Sequence, residues 1–287
     1  APEKWIYAYG DIYTQGDYYV ATAADSIFIN PIGQIDIHGL SSTRYYFKNL
    51  LDKLGVDVQV VKVGTYKSAV EPYILDGMSA PAREQEELFL SNIWENIAGE
   101  IAEARKVSAD TVNHWANGSI YAAPTEDYVK MHIADRMVYR HEFDSIVAYA
   151  IGVGDVNDLN PVTPAEYCQV NDVFRKGDGG SANIAVLYAC GDITDETGEG
   201  IVARTMVPQI LSLADDKSID GLIMYVNSGG GSAFASEQIW EALEQWKSLT
   251  GKPFFVSMAD YAASGGYYIS CGADRIYAQP TTLTGSI

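Results

Sequence analysis

The sequence predicts an α/β protein built from two related βαβ-type repeats on a largely parallel sheet. Three observations carry that prediction. First, residues 4–37 align with residues 253–286 at a constant shift of 249, with eight identities: Asp11/Asp260, Gly16/Gly265, Tyr18/Tyr267, Tyr19/Tyr268, Ala24/Ala273, Asp25/Asp274, Ile27/Ile276 and Pro31/Pro280. Chance pairing gives about two at average composition. Second, from Ile184 onward short apolar runs alternate with helix-period segments, the order of βαβ units. Third, 47% hydrophobic and 20% charged residues in a chain of 287 allow a sizeable core and exclude a disordered composition.

In the first repeat, Trp5–Ala8 reads as a strand, and so does Val58–Val63 with its β-branched run. Ser79 to Arg105 reads as a long helix, with Leu88, Leu90, Ile93, Ile97 and Ile101 as its apolar stripe. Ser108 suits the N-cap of a further helix through Trp115. The stretch 151–182 is rich in Gly, Asp, Asn and Pro and reads as a connection. In the second repeat, Ile184–Tyr188, Gly221–Val226, Phe254–Met258 and Arg275–Ala278 read as strands. Helices are expected over 200–213, over 233–249 with Ile239, Leu243 and Trp246 on one face, and from Ser264 after a loop at 259–263. The expected division is an N-terminal repeat over 1–150, a connecting segment over 151–183 and a C-terminal repeat over 184–287.

A net charge of −19 argues against nucleic acid as a partner and against an anionic membrane surface. Cys168, Cys190 and Cys271 show no CxxC pairing, so neither a disulfide framework, a metal site nor a metal cofactor is indicated, and they read as buried small hydrophobes. No apolar run reaches the length of a membrane span, and no signal-peptide pattern opens the chain. The chain begins inside one strand and stops inside the second repeat, so it reads as a fragment of a longer protein.

The informative difference between the repeats lies in one turn. Thr14-Gln15-Gly16-Asp17 faces Ala263-Ser264-Gly265-Gly266. Ser264 follows a strand and heads a helix, which suits an N-cap. The two glycines after it also admit a substrate backbone, and free N–H groups at a helix start can stabilise an oxyanion. Asn227-Ser228-Gly229-Gly230-Gly231-Ser232 occupies another strand-to-helix loop and lacks the Lys-Ser/Thr of a phosphate-binding loop. It reads either as a flexible turn or as a second N–H donor facing Ser264. A serine nucleophile needs a base. His38, His114, His132 and His141 all lie in the first half, and His114 and His132 fall in helical segments as surface or packing residues. Lysine is the other base, and it serves near neutral pH where burial among apolar groups disfavours its charged form. Lys67, beside Tyr66, Ala69 and Val70, has suitable neighbours.

Three blocks, Val63–Pro72, Asn227–Ser232 and Ala262–Tyr268, resemble the signal peptide peptidase A (protease IV) family in its long two-repeat form. The resemblance implies a ClpP/crotonase-like fold and a Ser/Lys dyad, with Ser264 as nucleophile and Lys67 as general base. It also implies an oxyanion hole from the N–H groups of Gly265 and Gly230, and a lysine-orienting role for Ser286. No cofactor is implied. The implied substrates are cleaved signal peptides and other short apolar peptides. The implied setting is a homo-oligomer, a tetramer in our reading, on the periplasmic or extracytoplasmic face of a bacterial inner membrane, anchored by a segment outside this chain. The family carries Asn-Ser-Pro-Gly-Gly where this chain has Gly229 in place of proline, a change that makes the loop costlier to order by about 0.4–1 kcal/mol. Two other readings stand beside this one: a crotonase-type acyl-CoA enzyme, which needs no Ser/Lys pair, and a non-catalytic pseudo-peptidase scaffold.

Overall fold

The computed structural model describes residues 4–118, 120–169, 182–196 and 198–286. The chain divides into two compact units, 1–174 and 175–287.

Unit 1 runs β1 (Tyr7–Tyr13), α1 (Gln15–Ala21), β2 (Ser26–Ile35), α2 (Lys48–Leu54), α3 (Glu71–Ile74), α4 (Ala80–Arg105), α5 (Ala109–Asn117), α6 (Thr125–Lys130), β3 (Arg136–Met137), α7 (Arg140–Ile151) and α8 (Pro164–Cys168). Its sheet is parallel in the order β1-β2-β3. Ile27, Ile29 and Ile35 of β2 pack with Ala98, Ile101 and Ala102 of α4 and with Val112 and Trp115 of α5. Ser79 caps α4 by accepting the Ala82 N–H, and Pro81 follows inside the first turn, where its missing N–H costs nothing.

Unit 2 runs β4 (Ile184–Cys190), β5 (Ile193–Thr194), β6 (Ile201–Val202), α9 (Ala203–Asp215), β7 (Gly221–Ser228), α10 (Ala233–Thr250), β8 (Phe254–Ala263), α11 (Gly265–Tyr268), β9 (Arg275–Tyr277) and β10 (Leu283–Gly285). Its main sheet is parallel in the order β10-β8-β7-β4, with β9 also on β8. Leu222, Met224 and Val226 of β7 alternate with half-buried residues. With Phe254, Val256 and Met258 of β8 they form the core against Ile239, Leu243 and Trp246 of α10 and Met206 and Ile210 of α9. The two-residue period selects the face that meets the helices.

The sequence repeat is a structural repeat. β1, α1 and β2 fall on β8, α11 and the pair β9/β10. Asp25 and Asp274 do the same work in both. Asp25 accepts the Ile6 N–H at 2.7 Å and returns its own N–H to Ile6 at 2.9 Å; Asp274 does this with Phe254 at 2.8 Å each way.

Several expectations fail. Val58–Val63 forms no strand: Val61 is fully exposed and Val63 nearly so, because β propensity acts only where a neighbouring strand is available to pair. Ala259–Ala263 is strand, not loop, since β10 pairs with Tyr261–Ala263. On α4 the apolar stripe is buried only toward its C-terminal half: Ile101 is 0% exposed and Leu88 62%. All three cysteines are exposed rather than buried. His132 lies in a turn after α6 with φ 59°, not in a helix. Among the described residues no helix is long and apolar enough to cross a membrane.

Candidate active site

Parallel strands deliver their C-terminal loops to one edge of a sheet. In unit 2, β7 and β8 are such neighbours, and the loop after β7 meets the turn after β8 there. Ser264 stands at the head of α11 with φ 51° and ψ −120°, a backbone geometry that a side chain bearing a Cβ rarely adopts. It is over-determined from both sides. The Ser264 N–H donates to Gly285 O at 2.8 Å, and its carbonyl accepts the Tyr268 N–H at 2.9 Å to start α11. The side chain makes no capping bond and is exposed. The capping role that its position suggests is therefore absent.

The glycine loop packs directly on this turn. Gly230 has φ 104°, and a Cβ there would sit 2.8 Å from both Ser264 Cβ and Gly265 N. A Cβ on Gly265 would lie 2.5 Å from Ser236 Oγ. Gly230 is glycine because the Ser264 turn's backbone approaches too closely for a Cβ, and Gly265 because the Ser236 and Ile193 side chains fill the space a Cβ would need. Gly231 bridges to Ile193, with Ile193 N–H on Gly230 O at 3.0 Å and Ser232 N–H on Ile193 O at 2.8 Å. Ser264, Gly265 and Gly230 are thus brought together, and Ser286 follows β10, whose Gly285 holds the Ser264 N–H. Ser286 is exposed with φ 57°.

The amides differ in availability. Gly230 N–H already donates to Ser228 Oγ at 3.1 Å, while Ser228 Oγ donates to Gly191 O at 2.6 Å. The N–H groups of Gly265 and Gly231 have no acceptor among the described residues. The supporting roles of these side chains have no recognisable sequence motif of their own. Asn227 accepts the Tyr261 N–H at 3.2 Å and donates to Asp260 at 3.0 Å, closing the register shift between β7 and β8 that turns the loop toward Ser264. One signal for this was present, the repeat identity Asp11/Asp260. Asp11 similarly accepts from Asn30 at 2.9 Å.

Lys67 belongs to unit 1 and is exposed there, in the turn that follows Gly64 (φ 96°). The burial expected of a lysine base is not supplied by its sequence neighbours, since Tyr66 and Ala69 are exposed and Val70 only half-buried. Just beyond it, the Glu71 side chain is buried. Burial pushes its carboxyl up, but the Ser79 hydroxyl (2.6 Å) and amide (3.2 Å) outweigh this and hold it below the usual carboxylate range. Among the described residues no group of three or more His, Cys, Asp and Glu side chains is arranged to hold a metal ion.

The profile of Peptidase family S49 matches residues 1–144 and 247–287. Protease 4 of Haemophilus influenzae is 38% identical over 99% of the chain and 47% of its own length. Protease 4 of Salmonella typhi is 36% identical over 99% of the chain and 46% of its own length. The chain therefore spans about half the length of the curated relatives it matches. Among solved structures, ClpP1 from Listeria monocytogenes aligns with 34% of the chain and 54% of its own, at 22% identity and a TM-score of 0.29. With the profile matched over more than half of its residues, the chain belongs to peptidase family S49.

Proposed function

We propose that this chain carries the catalytic residues of a serine peptidase in which Ser264 is the nucleophile and Lys67 the general base. The observation that carries the reading is the strained, uncapped Ser264 packed against Gly230 at the edge where β7 and β8 end. Backbone strain of this kind persists where the surroundings impose it, and such sites are often functional. In the reaction, neutral Lys67 Nζ takes the Ser264 hydroxyl proton as Oγ bonds the scissile carbonyl carbon. The proton passes to the leaving amine as the C–N bond breaks, and water then hydrolyses the acyl ester. Gly265 N–H, with no other acceptor, suits one oxyanion contact, worth roughly 3–4 kcal/mol. Gly230 N–H suits the second only if Ser228 Oγ releases it; Gly231 N–H needs no such release.

The substrates in this reading are cleaved signal peptides and other short apolar peptides. The working form is a homo-oligomer, a tetramer, held at the extracytoplasmic face of a bacterial inner membrane by a segment outside this chain. Ser286 orients the lysine. Covalent labelling by a fluorophosphonate probe tests the dyad. Labelling should vanish in Ser264→Ala and slow by roughly 10²–10⁴-fold in Lys67→Ala. Wild-type chain that never labels would favour the pseudo-peptidase scaffold, and full-rate labelling of Lys67→Ala would remove lysine from the mechanism.

A further inference from the structure

Glu71 is a buried carboxylate that the proposed reaction does not use. A buried charge is costly unless hydrogen-bonded and compensated. Here the Ser79 hydroxyl donates to one Glu71 oxygen at 2.6 Å and the Ser79 N–H to the other at 3.2 Å, and Lys62 and Arg44 favour the charged form. Capping of α4 does not require this. Ser79 Oγ alone already accepts the Ala82 N–H. What the carboxylate adds is a connection. Glu71 N–H donates to Ser68 O at 3.0 Å, so the residue after Lys67 is tied through Glu71 to the N-cap of α4. On the other side of Lys67, Tyr66 Oη donates to Glu84 of α4 at 3.2 Å. Among the described residues the preceding stretch 58–63 pairs with no strand, and these two ties join the segment on either side of Lys67 to α4.

We propose that Glu71 is a positioning residue that fixes the Lys67 turn against the first turn of α4. This rests on the reading of Lys67 as the base. The test compares Glu71→Gln, Glu71→Asp and Lys67→Ala in the whole chain, by amide hydrogen exchange and by kcat and KM on a short apolar peptide. Glu71→Gln keeps the volume but loses the second strong acceptor. Exchange at residues 65–70 should rise about tenfold while residues 92–102 of α4 stay protected. kcat should fall roughly tenfold to a hundredfold with KM within about twofold, the pattern of a displaced catalytic group. Glu71→Asp, which keeps the charge, should recover part of both.

Unchanged exchange at 65–70 would overturn the tie. Faster exchange with unaltered kcat would overturn the positioning role. A rise that spreads through 92–102 would reduce Glu71 to a stability residue and overturn it too. If Lys67→Ala keeps full kcat, the base assignment itself fails; if Lys67→Ala is inactive and Glu71→Gln is not, only the Glu71 proposal fails.

Discussion

The turns Thr14–Asp17 and Ala263–Gly266 close equivalent strands and open equivalent helices, and they use their side chains in opposite ways. In unit 1, Thr14 and Asp17 form a reciprocal capping box, and α1 runs for seven regular residues. Gln15, the counterpart of Ser264, is engaged at both ends of its side-chain amide. Its Oε1 accepts the His38 and Gly39 N–H groups, both at 2.9 Å, and its Nε2 donates to Gly39 O at 3.1 Å. In unit 2, Ser264 caps nothing, takes a positive φ, and leaves its hydroxyl exposed. One scaffold therefore yields a fastened turn and a turn held under strain. The difference comes from how each turn is held: in unit 2 a glycine loop presses on it, and in unit 1 its own Gln15 amide fastens it to His38 and Gly39.

The glycine shared by the two turns offers the strongest way to break this comparison. Gly16 and Gly265 are identical in the repeat, yet a Cβ on Gly16 would meet only Thr14 Oγ1 at 4.0 Å, while one on Gly265 would strike Ser236 Oγ at 2.5 Å and Ile193 Cδ1 at 3.0 Å. Gly265→Ala should destabilise the chain by about 1–3 kcal/mol through overpacking. It should also slow fluorophosphonate labelling about a hundredfold, since the displaced turn carries Ser264. Gly16→Ala, in the first turn of α1, should stabilise by up to ~1 kcal/mol. Urea unfolding of the two variants decides it. Shifts of the same sign would mean that the two turns do not differ in packing.

A smaller effect tests what holds unit 1 together away from any reactive group. Asp135 accepts the Ile27 N–H at 2.7 Å and pairs with Arg105 at 2.8 and 3.1 Å. Burial pushes the Asp135 carboxyl up, but these partners outweigh it and hold it below the ordinary aspartate range. A carboxyl depressed on folding stabilises the native state above its unfolded value, about pH 3.9, and loses that contribution as pH falls through the lower folded value. Asp135→Asn should therefore cost about 1–3 kcal/mol at pH 7, because Arg105, with only 8% of its side chain exposed, loses its partner. The gap from wild type should shrink as pH falls below about 4. A gap that stays constant from pH 7 to pH 3 would show that the pair contributes nothing through its charge.

Much of this arrangement was legible in the residues, for physical reasons that also mark its limits. The eight repeat identities include Asp25 and Asp274, each of which clips the backbone near the start of its unit's first repeat strand, at positions one residue apart in the repeat alignment, so the spacing reported a real equivalence. The α4 boundary was legible because Ser79 acts through a local cap, which needs no distant partner. Features that depend on a distant partner were not. Among the described residues Val58–Val63 has strand-type residues but no strand to pair with, and Ala259–Ala263 extends β8 because β10 and the end of β7 pair with it. Ser264 looked like a cap because caps are written in residue types. Its positive φ is imposed by Gly285 and by the Gly230 loop, and neither contact has a local signature. The same holds for Ser228, whose hydroxyl occupies the very amide that residue types offered as an oxyanion donor.

The least disruptive change addresses that loop. Gly229 lies outside the left-handed region, has open space where a Cβ would go, and donates no hydrogen bond from its N–H among the described residues. Ser228 before it ends β7 in extended backbone, the conformation that a following proline requires. Gly229→Pro should therefore fit without strain and stabilise by about 0.4–1 kcal/mol, acting mainly on the unfolded chain. Thermal unfolding should shift up by roughly 1–4 °C. Destabilisation instead would mean that the loop needs the freedom of glycine at 229, and that the strain in unit 2 extends from the Ser264 turn into the strand end facing it.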